Sequence, residues 1–345
     1  MTHKLRIAQI GVGAWGKNLL RNFRALTNAD VVGVCDRNTD TLRKVALDYP
    51  GLRTCKDPAE IIDDPKIDAV IIATESPTHF ELTKRALEAG KHVFVEKPMT
   101  QKTSEAIVLR DLAAQHDLRL MVGHILLYHP AFEYVRELIS SGALGEIYYI
   151  YSVRVNLGVV RSQENAFDSL APHDISVALD FIGNRAVAVS AQGQAYLQPG
   201  VEDVVFATVY FEDGKLAHLH TSWLDPHKVR KITVVGSRRM AVIDDVEGVE
   251  KVRLYDKGVD IASSVSPVVD YATVMTVRSG DISIPQIPMK EPLLNECEHF
   301  VQSVLNGTTP LSDAENGVRV VQILDAARDS MKRGGAKIDL IAESA

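Results

Sequence analysis

Residues 5–16, "LRIAQIGVGAWG", decide how the rest of the chain reads. Leu5–Ile10 is a short apolar run of strand character, and Trp15–Leu26 behind it has the spacing of a helix. Between them Gly11, Gly13 and Gly16 make a GxGxxG turn, which joins a strand to a helix at a dinucleotide's phosphates. Gly11 permits the tight turn, Gly13 lets the backbone approach a pyrophosphate, and Gly16 lets helix and strand pack closely. The helix beyond offers unpaired N–H groups and a positive dipole end. Val12, Ala14 and Trp15 complete the loop. A second strand, Asp30–Cys35, runs into Asp36, 20 residues beyond Gly16, where a carboxylate accepts from an adenosine ribose. A carboxylate there repels a 2′-phosphate, so NAD is favoured over NADP. The adjacent Arg37 could stack on adenine or tolerate that phosphate. The competing reading is a glycine turn that binds nothing.

Outward from this stretch, the first ~120 residues alternate strands with helices. Asp68–Ala73, His92–Val95 and Leu118–Val122 read as further strands, and Thr39–Asp48, Thr78–Ala89 and Thr103–His116 as helices. That alternation predicts a Rossmann-type doubly wound parallel sheet, α/β in class, over residues 1–123. After about residue 146 the texture changes to strands joined by tight turns: Glu146–Val155, Ala186–Tyr196, Val204–Tyr210, Leu216–Trp223, Val229–Val235, Met240–Asp244 and Val252–Tyr255. One helix interrupts them around Pro172–Ile182, and two more close the chain, over Leu293–Leu305 and Asn316–Met331. Residues 124–345 are therefore expected to form an α+β domain with a large, mostly antiparallel open sheet for substrate binding and oligomerisation. Its last helices are expected to pack back on the first domain.

The composition narrows the function classes. Of 345 residues 46% are apolar and 24% charged, the profile of a globular protein. A net charge of −7 argues against a nucleic-acid partner, and no apolar run approaches the ~18 residues of a membrane span. Cys35, Cys55 and Cys297 are odd in number and scattered, which fits a reducing cytoplasm and gives no zinc set. The pairs His124/His129 and His218/His220 lack accompanying ligands at metal spacing, so no metal is expected.

In open α/β sheets ligands lie beyond the carboxyl ends of the strands. Those ends carry the glycine loop, Asp36, the Thr74–His79 turn with Thr74, Ser76 and His79, then Glu96-Lys97-Pro98, and Gly123-His124. Lys97 is thereby expected at the nicotinamide end, with Glu96 near enough to hold it or a ribose. The alternative is a solvated ion pair of little energetic consequence.

The segments GVGAWGKN, ATESPTHFELTKRALEAGKHVFVEKP, APHDIS and EPLLNECEHFVQSVLNG together resemble the Gfo/Idh/MocA family of nicotinamide-dependent oxidoreductases. The resemblance spans nearly the whole chain. It implies a cis Lys97–Pro98 bond, Lys97 beside the nicotinamide and substrate hydroxyl, and His173 as catalytic base. In the family a carboxylate usually lies four residues before that histidine. Here Ser169 holds the position, leaving Asp168 or Asp174 as stand-ins. GHILLYHPA, RVNLG and SWLDPHKVRKITVVG are similar to members acting on nucleotide-linked sugars, notably UDP-N-acetylglucosamine 3-dehydrogenases. On that resemblance Tyr128, Arg154, Asn156, Arg161 and Lys228, with Lys97 and His173, are the substrate-binding candidates. The expected reaction is oxidation of a secondary hydroxyl, at C3, by a cytoplasmic homodimer or homotetramer. The alternatives are an inositol or free-sugar dehydrogenase, or a non-catalytic NAD-binding sensor.

Overall fold

Strand β1 (Leu5–Ile10) lies at the centre of a six-stranded parallel sheet, with β2 (Ala29–Cys35) on one side and β4 (Ala69–Ile72) on the other. Adding β3 (Arg53–Cys55), β5 (His92–Val95) and β6 (Leu120–Val122) gives the order β3-β2-β1-β4-β5-β6. This is the doubly wound order, whose topological switch point falls between β1 and β4. The computed structural model describes residues 4–162, 164–183, 185–261 and 275–340.

Both faces of this sheet are apolar because both are covered. One face presents Ala8, Ile10, Val70, Ile72, Val93 and Val95 to a core that includes Ala86 and Leu87 of α4 (His79–Glu88). Leu109 of α5 (Thr103–Gln115) and Val318 and Val321 of α9 (Ala314–Lys332) belong to the same core. The opposite face carries the register row Gln9–Ile71–Phe94–Met121. There Phe94 meets Phe23 of α1 (Gly16–Ala25) and Phe300 of α8 (Pro292–Asn306) edge-on, each at 5.8 Å. Each buried ring contributes about 1.5–3 kcal/mol, and each edge-on pair about 0.5–1.5 kcal/mol more. Gly307 in the left-handed region (φ 67°) ends α8, where Asn306-Gly307 signals a stop.

The chain divides into two compact units, Met1–His129 with Lys290–Asp325, and Pro130–Met289 with Ala326–Ala345. Residues 124–129 and 290–325, assigned to the second domain from sequence, thus group with the first. The second unit holds a nine-stranded mixed sheet in the order β14-β13-β12-β11-β7-β10-β9-β8-β15. Its strands are β7 (Ile147–Val155), β8 (Ala186–Gln194), β9 (Val204–Phe211), β10 (Leu216–Ser222), β11 (Val229–Gly236), β12 (Met240–Asp244), β13 (Val252–Ile261), β14 (Met275–Ser283) and β15 (Ile338–Asp339). Pairing is antiparallel except for β7 with β10. The helices α6 (Pro130–Ser140) and α7 (Ala166–Ile182) accompany this sheet. No helix among the described residues is long and apolar enough to cross a membrane.

Candidate active site

The glycine loop is held from below by one amide. Gln9, buried in β1, donates its Nε2 to Gly11 O and to Gly16 O, both at 2.7 Å. Asp36 at the end of β2 accepts from Val12 N–H and Asn38 N–H, each at 2.8 Å, and so ties the loop to the second strand. Gly11 has φ +91°, and a Cβ there would lie 2.5 Å from Ala73 O; one on Gly16 would lie 2.4 Å from Gly11 O. These two glycines are required by the chain itself. Gly13 is different: it is exposed, and a Cβ there would meet nothing within 4 Å. The first turn of α1 has no side-chain cap and no acidic residue, so its positive end is left to whatever approaches from outside. An open cradle at Gly13 below an uncapped helix start fits a dinucleotide's pyrophosphate.

Around the next strand ends the chain knits itself together. Thr74 and Thr78 share a hydroxyl hydrogen bond of 2.7 Å. His79, expected at the cofactor, is instead buried, its ring nitrogens 2.8 Å from Pro98 O and 3.1 Å from Thr74 O. Its imidazole joins the β4 turn to the β5 turn. Ser76 is half-buried in that same turn, and Arg37 is exposed.

After β5 the Lys97–Pro98 bond is cis. Glu96 accepts from Trp15 Nε1 at 2.6 Å and from Lys97 N–H at 3.2 Å, which links the glycine loop to the lysine. Burial pushes the Glu96 carboxyl up to about 7, against the pull of the Trp15 hydrogen bond and the Lys97 charge. Gly123 makes room for it, since a Cβ there would stand 3.0–3.1 Å from the Glu96 carboxyl. The neighbouring His124 is fully buried, and neither ring nitrogen is hydrogen-bonded among the described residues. Burial first, and then Lys97, push it down to about 3, so it is neutral at pH 7.

Tyr128 turns inward rather than toward a substrate. Its hydroxyl lies 2.8 Å from Ser312 Oγ and accepts from Ser312 N–H at 3.2 Å. A phenol satisfied inside the unit is not free to orient a sugar.

In the second unit His173 sits half-buried on α7, whose start is capped by Asn165 accepting from Asp168 N–H at 2.8 Å. Asp168 also accepts from Arg328 Nη1 at 2.6 Å. Asp174 is buried and accepts from Ser152 Oγ at 2.8 Å and from Arg154 Nε and Nη2 at 2.6 and 3.1 Å. Arg154, a substrate candidate from sequence, is therefore the inner half of a forked ion pair that pins α7 to β7. A guanidinium so buried and paired is structural. Asn156, Arg161 and Lys228 are placed otherwise. Val155 pairs with Val229, so Asn156 and Lys228 follow and precede paired strands at one end of the sheet. Lys228 is exposed, and Arg161, in the loop after Asn156, is exposed and pairs with Glu164 at 3.1 Å.

Sequence reasoning missed Gln9, although a lone amide in an apolar strand was the available signal. It also missed Glu296, fully buried on the face of α8 that buries Leu293 and Phe300.

Residues 5–124 match the oxidoreductase family with an NAD-binding Rossmann fold, and residues 132–242 match the GFO/IDH/MocA C-terminal domain. The chain belongs to the Gfo/Idh/MocA family. This family member is accordingly an oxidoreductase acting on CH–OH groups, with an NAD-type Rossmann unit. It is 26% identical to the scyllo-inositol 2-dehydrogenase (NAD(+)) of Bacillus subtilis, over 97% of this chain and 96% of that one. It is 27% identical to the UDP-N-acetylglucosamine 3-dehydrogenase of Acidithiobacillus ferrooxidans, over 92% and 94%. A solved structure of UDP-N-acetylglucosamine 3-dehydrogenase from Acidithiobacillus ferrooxidans superposes with a TM-score of 0.78 at 25% identity, covering 96% of this chain and all of that one.

Proposed function

We propose that the protein oxidises the C3 hydroxyl of a nucleotide-linked sugar such as UDP-N-acetylglucosamine, with NAD as acceptor. The observation that supports this over a free polyol is that Asn156 and Lys228 flank the paired ends of β7 and β11 at one end of the second unit's sheet, with Arg161 exposed in the loop that follows. A diphosphate needs cations and amide donors; an inositol carries no charge to meet them. The carboxylate of Asp36 favours NAD over the 2′-phosphorylated form.

Removing a proton from an alcohol oxygen as hydride leaves the adjoining carbon calls for a base matched to neutral pH. His173 takes that role, since an imidazole is the side chain ordinarily able to accept a proton at neutral pH. Lys97 donates from its ammonium to the substrate oxygen and stabilises the developing alkoxide. Glu96 anchors Trp15 and the backbone of Lys97 at the strand end. Bound nicotinamide supplies the hydride acceptor.

The test is NADH formation with UDP-N-acetylglucosamine against scyllo- and myo-inositol. Turnover of the nucleotide sugar, together with thermal stabilisation by UDP in the presence of NAD, supports the reading; a ligand at 100 times its Kd adds about 2.7 kcal/mol to the native state. Turnover of an inositol without any response to UDP assigns the polyol chemistry instead. Lys97→Met and His173→Asn should each lower turnover about 100-fold or more, and unchanged turnover in either removes that residue from the mechanism.

A further inference from the structure

Glu296 has no solvent exposure, and neither of its carboxyl oxygens is hydrogen-bonded among the described residues. Buried carboxylates are normally paired or ligating, so this one calls for an account. Its position follows from two periodicities. Phe94 of β5 and Phe300 of α8 are in edge contact at 5.8 Å. Two residues on from Phe94, on the same side of the sheet, comes Glu96. Four residues back from Phe300, on the same stripe of the helix, comes Glu296. Asn295 Nδ2 donates to Tyr128 O at 3.2 Å, tying the first turn of α8 to the segment that follows β6. α8 therefore enters at the carboxyl ends of the strands and runs against β5. The two steps go the same way, and both carboxyls arrive at the same stretch of the helix–sheet seam.

The groups facing this seam are few. Trp15 Nε1 and Lys97 N–H donate to Glu96, and the Lys97 ammonium follows β5. From the β6 side come Gly123 and the neutral His124. From α8 come the buried Cys297 thiol and, at its start, Glu291 in an ion pair with Arg21 of α1. Two carboxylates in so dry a place do not both ionise at neutral pH. Glu96 has N–H donors that favour its charged form; Glu296 has none. Burial, and then the Glu96 charge, push Glu296 well above the usual carboxyl range.

We propose that Glu296 is a positioning residue for Glu96: a buried carboxylic acid that keeps its proton at neutral pH, leaves Glu96 as the carboxylate that holds Trp15 and Lys97, and offers that carboxylate an O–H from the helix side. The inference rests on the proposed function only for its effect on turnover, and its test needs no substrate.

In the intact protein at pH 7, the infrared difference between wild type and Glu296→Gln should contain the carbonyl band of one protonated acid. The linkage has a definite sign. The folded group binds its proton above the pH at which the unfolded one loses it, so stability falls as pH rises. As pH rises above the ordinary carboxyl range, the folding constant of the wild type should fall relative to Glu296→Gln, by up to about tenfold per unit for as long as the folded group keeps its proton. Absence of the band, or parallel unfolding curves, overturns the protonation. For the positioning role the readout is Trp15 emission, obtained by subtracting the spectrum of Trp15→Phe. Glu296→Leu should alter it, and Glu296→Gln, which keeps a donor, should restore it. Identical emission from the Leu and Gln variants overturns positioning. Failure of the wild type to oxidise any sugar or polyol defeats the dehydrogenase reading and leaves these spectra to decide the assignment of Glu296.

Discussion

Replacing Gly13 with alanine separates a ligand's demand from the fold's. Of the three loop glycines, Gly11 needs a left-handed backbone and would press a Cβ to 2.5 Å from Ala73 O, and Gly16 would press one to 2.4 Å from Gly11 O. Left-handed strain costs about 1–2 kcal/mol and overpacking about 1–3 kcal/mol. Gly11→Ala should then cost about 2–5 kcal/mol and Gly16→Ala about 1–3 kcal/mol. At about 2–4 °C per kcal/mol for a unit of this size, both lower the apo Tm measurably. Gly13→Ala meets no atom within 4 Å, so the apo stability should hold or rise, by up to about 1 kcal/mol through the unfolded state. Its effect appears only with the dinucleotide, as a methyl group placed where the pyrophosphate must approach. The NAD Kd should rise at least about tenfold, or 1.4 kcal/mol, read from Tm against NAD concentration for wild type and variant. Equal NAD affinity would refute the cradle, and a fall of several degrees without NAD would show that the chain itself needs this glycine.

Three further expectations concern single groups. His124 titrates at about 3 when folded against an ordinary 6.5, so between those values only the unfolded chain takes up its proton and stability falls as pH falls. Urea unfolding should show the wild type losing about 2 kcal/mol more than His124→Met between pH 7 and 5; parallel losses would mean that His124 is charged in the fold. Asp174→Ala strands the buried Arg154 and should cost about 3–5 kcal/mol, with most of the loss recovered when Arg154→Met is added; no recovery would show that the pair is not the reason. Lys228→Ala should raise KM for a nucleotide sugar while leaving kcat within a few-fold, and an unchanged KM would place the diphosphate elsewhere.

The doubly wound sheet was legible because its signals are local: a glycine turn after a strand, an acid at the next strand's end, and helical spacing between. β14 was not, because nearly all its residues are exposed and no apolar alternation marks it. The three-residue β3 is too short to carry a pattern. Site residues divide in the same way. The loop glycines, Asp36 and Glu96 follow from their places at strand ends. Tyr128 and Arg154 look like ligand groups in sequence, and only tertiary pairing with Ser312 and Asp174 reveals them as internal struts. The closing helices were expected to pack back on the first domain, but the contact that seats α8 there, Phe94 against Phe300, joins rings far apart in the chain, and no local pattern identifies those two as partners.

The first unit is also discontinuous in time. Its initial segment ends at His129, and the closing segment does not end until Asp325. At synthesis rates of ~5–20 residues per second, the interval between them is on the order of 10–40 s. Until residue 300 emerges, which is most of that interval, Phe23 and Phe94 lack the ring of Phe300 that caps them. A nascent chain halted before residue 290 presents a bare aromatic seam to its surroundings, a surface for chaperones or for other nascent chains, and the dinucleotide unit, begun first, is completed only after the long segment Pro130–Met289 of the other unit has been made.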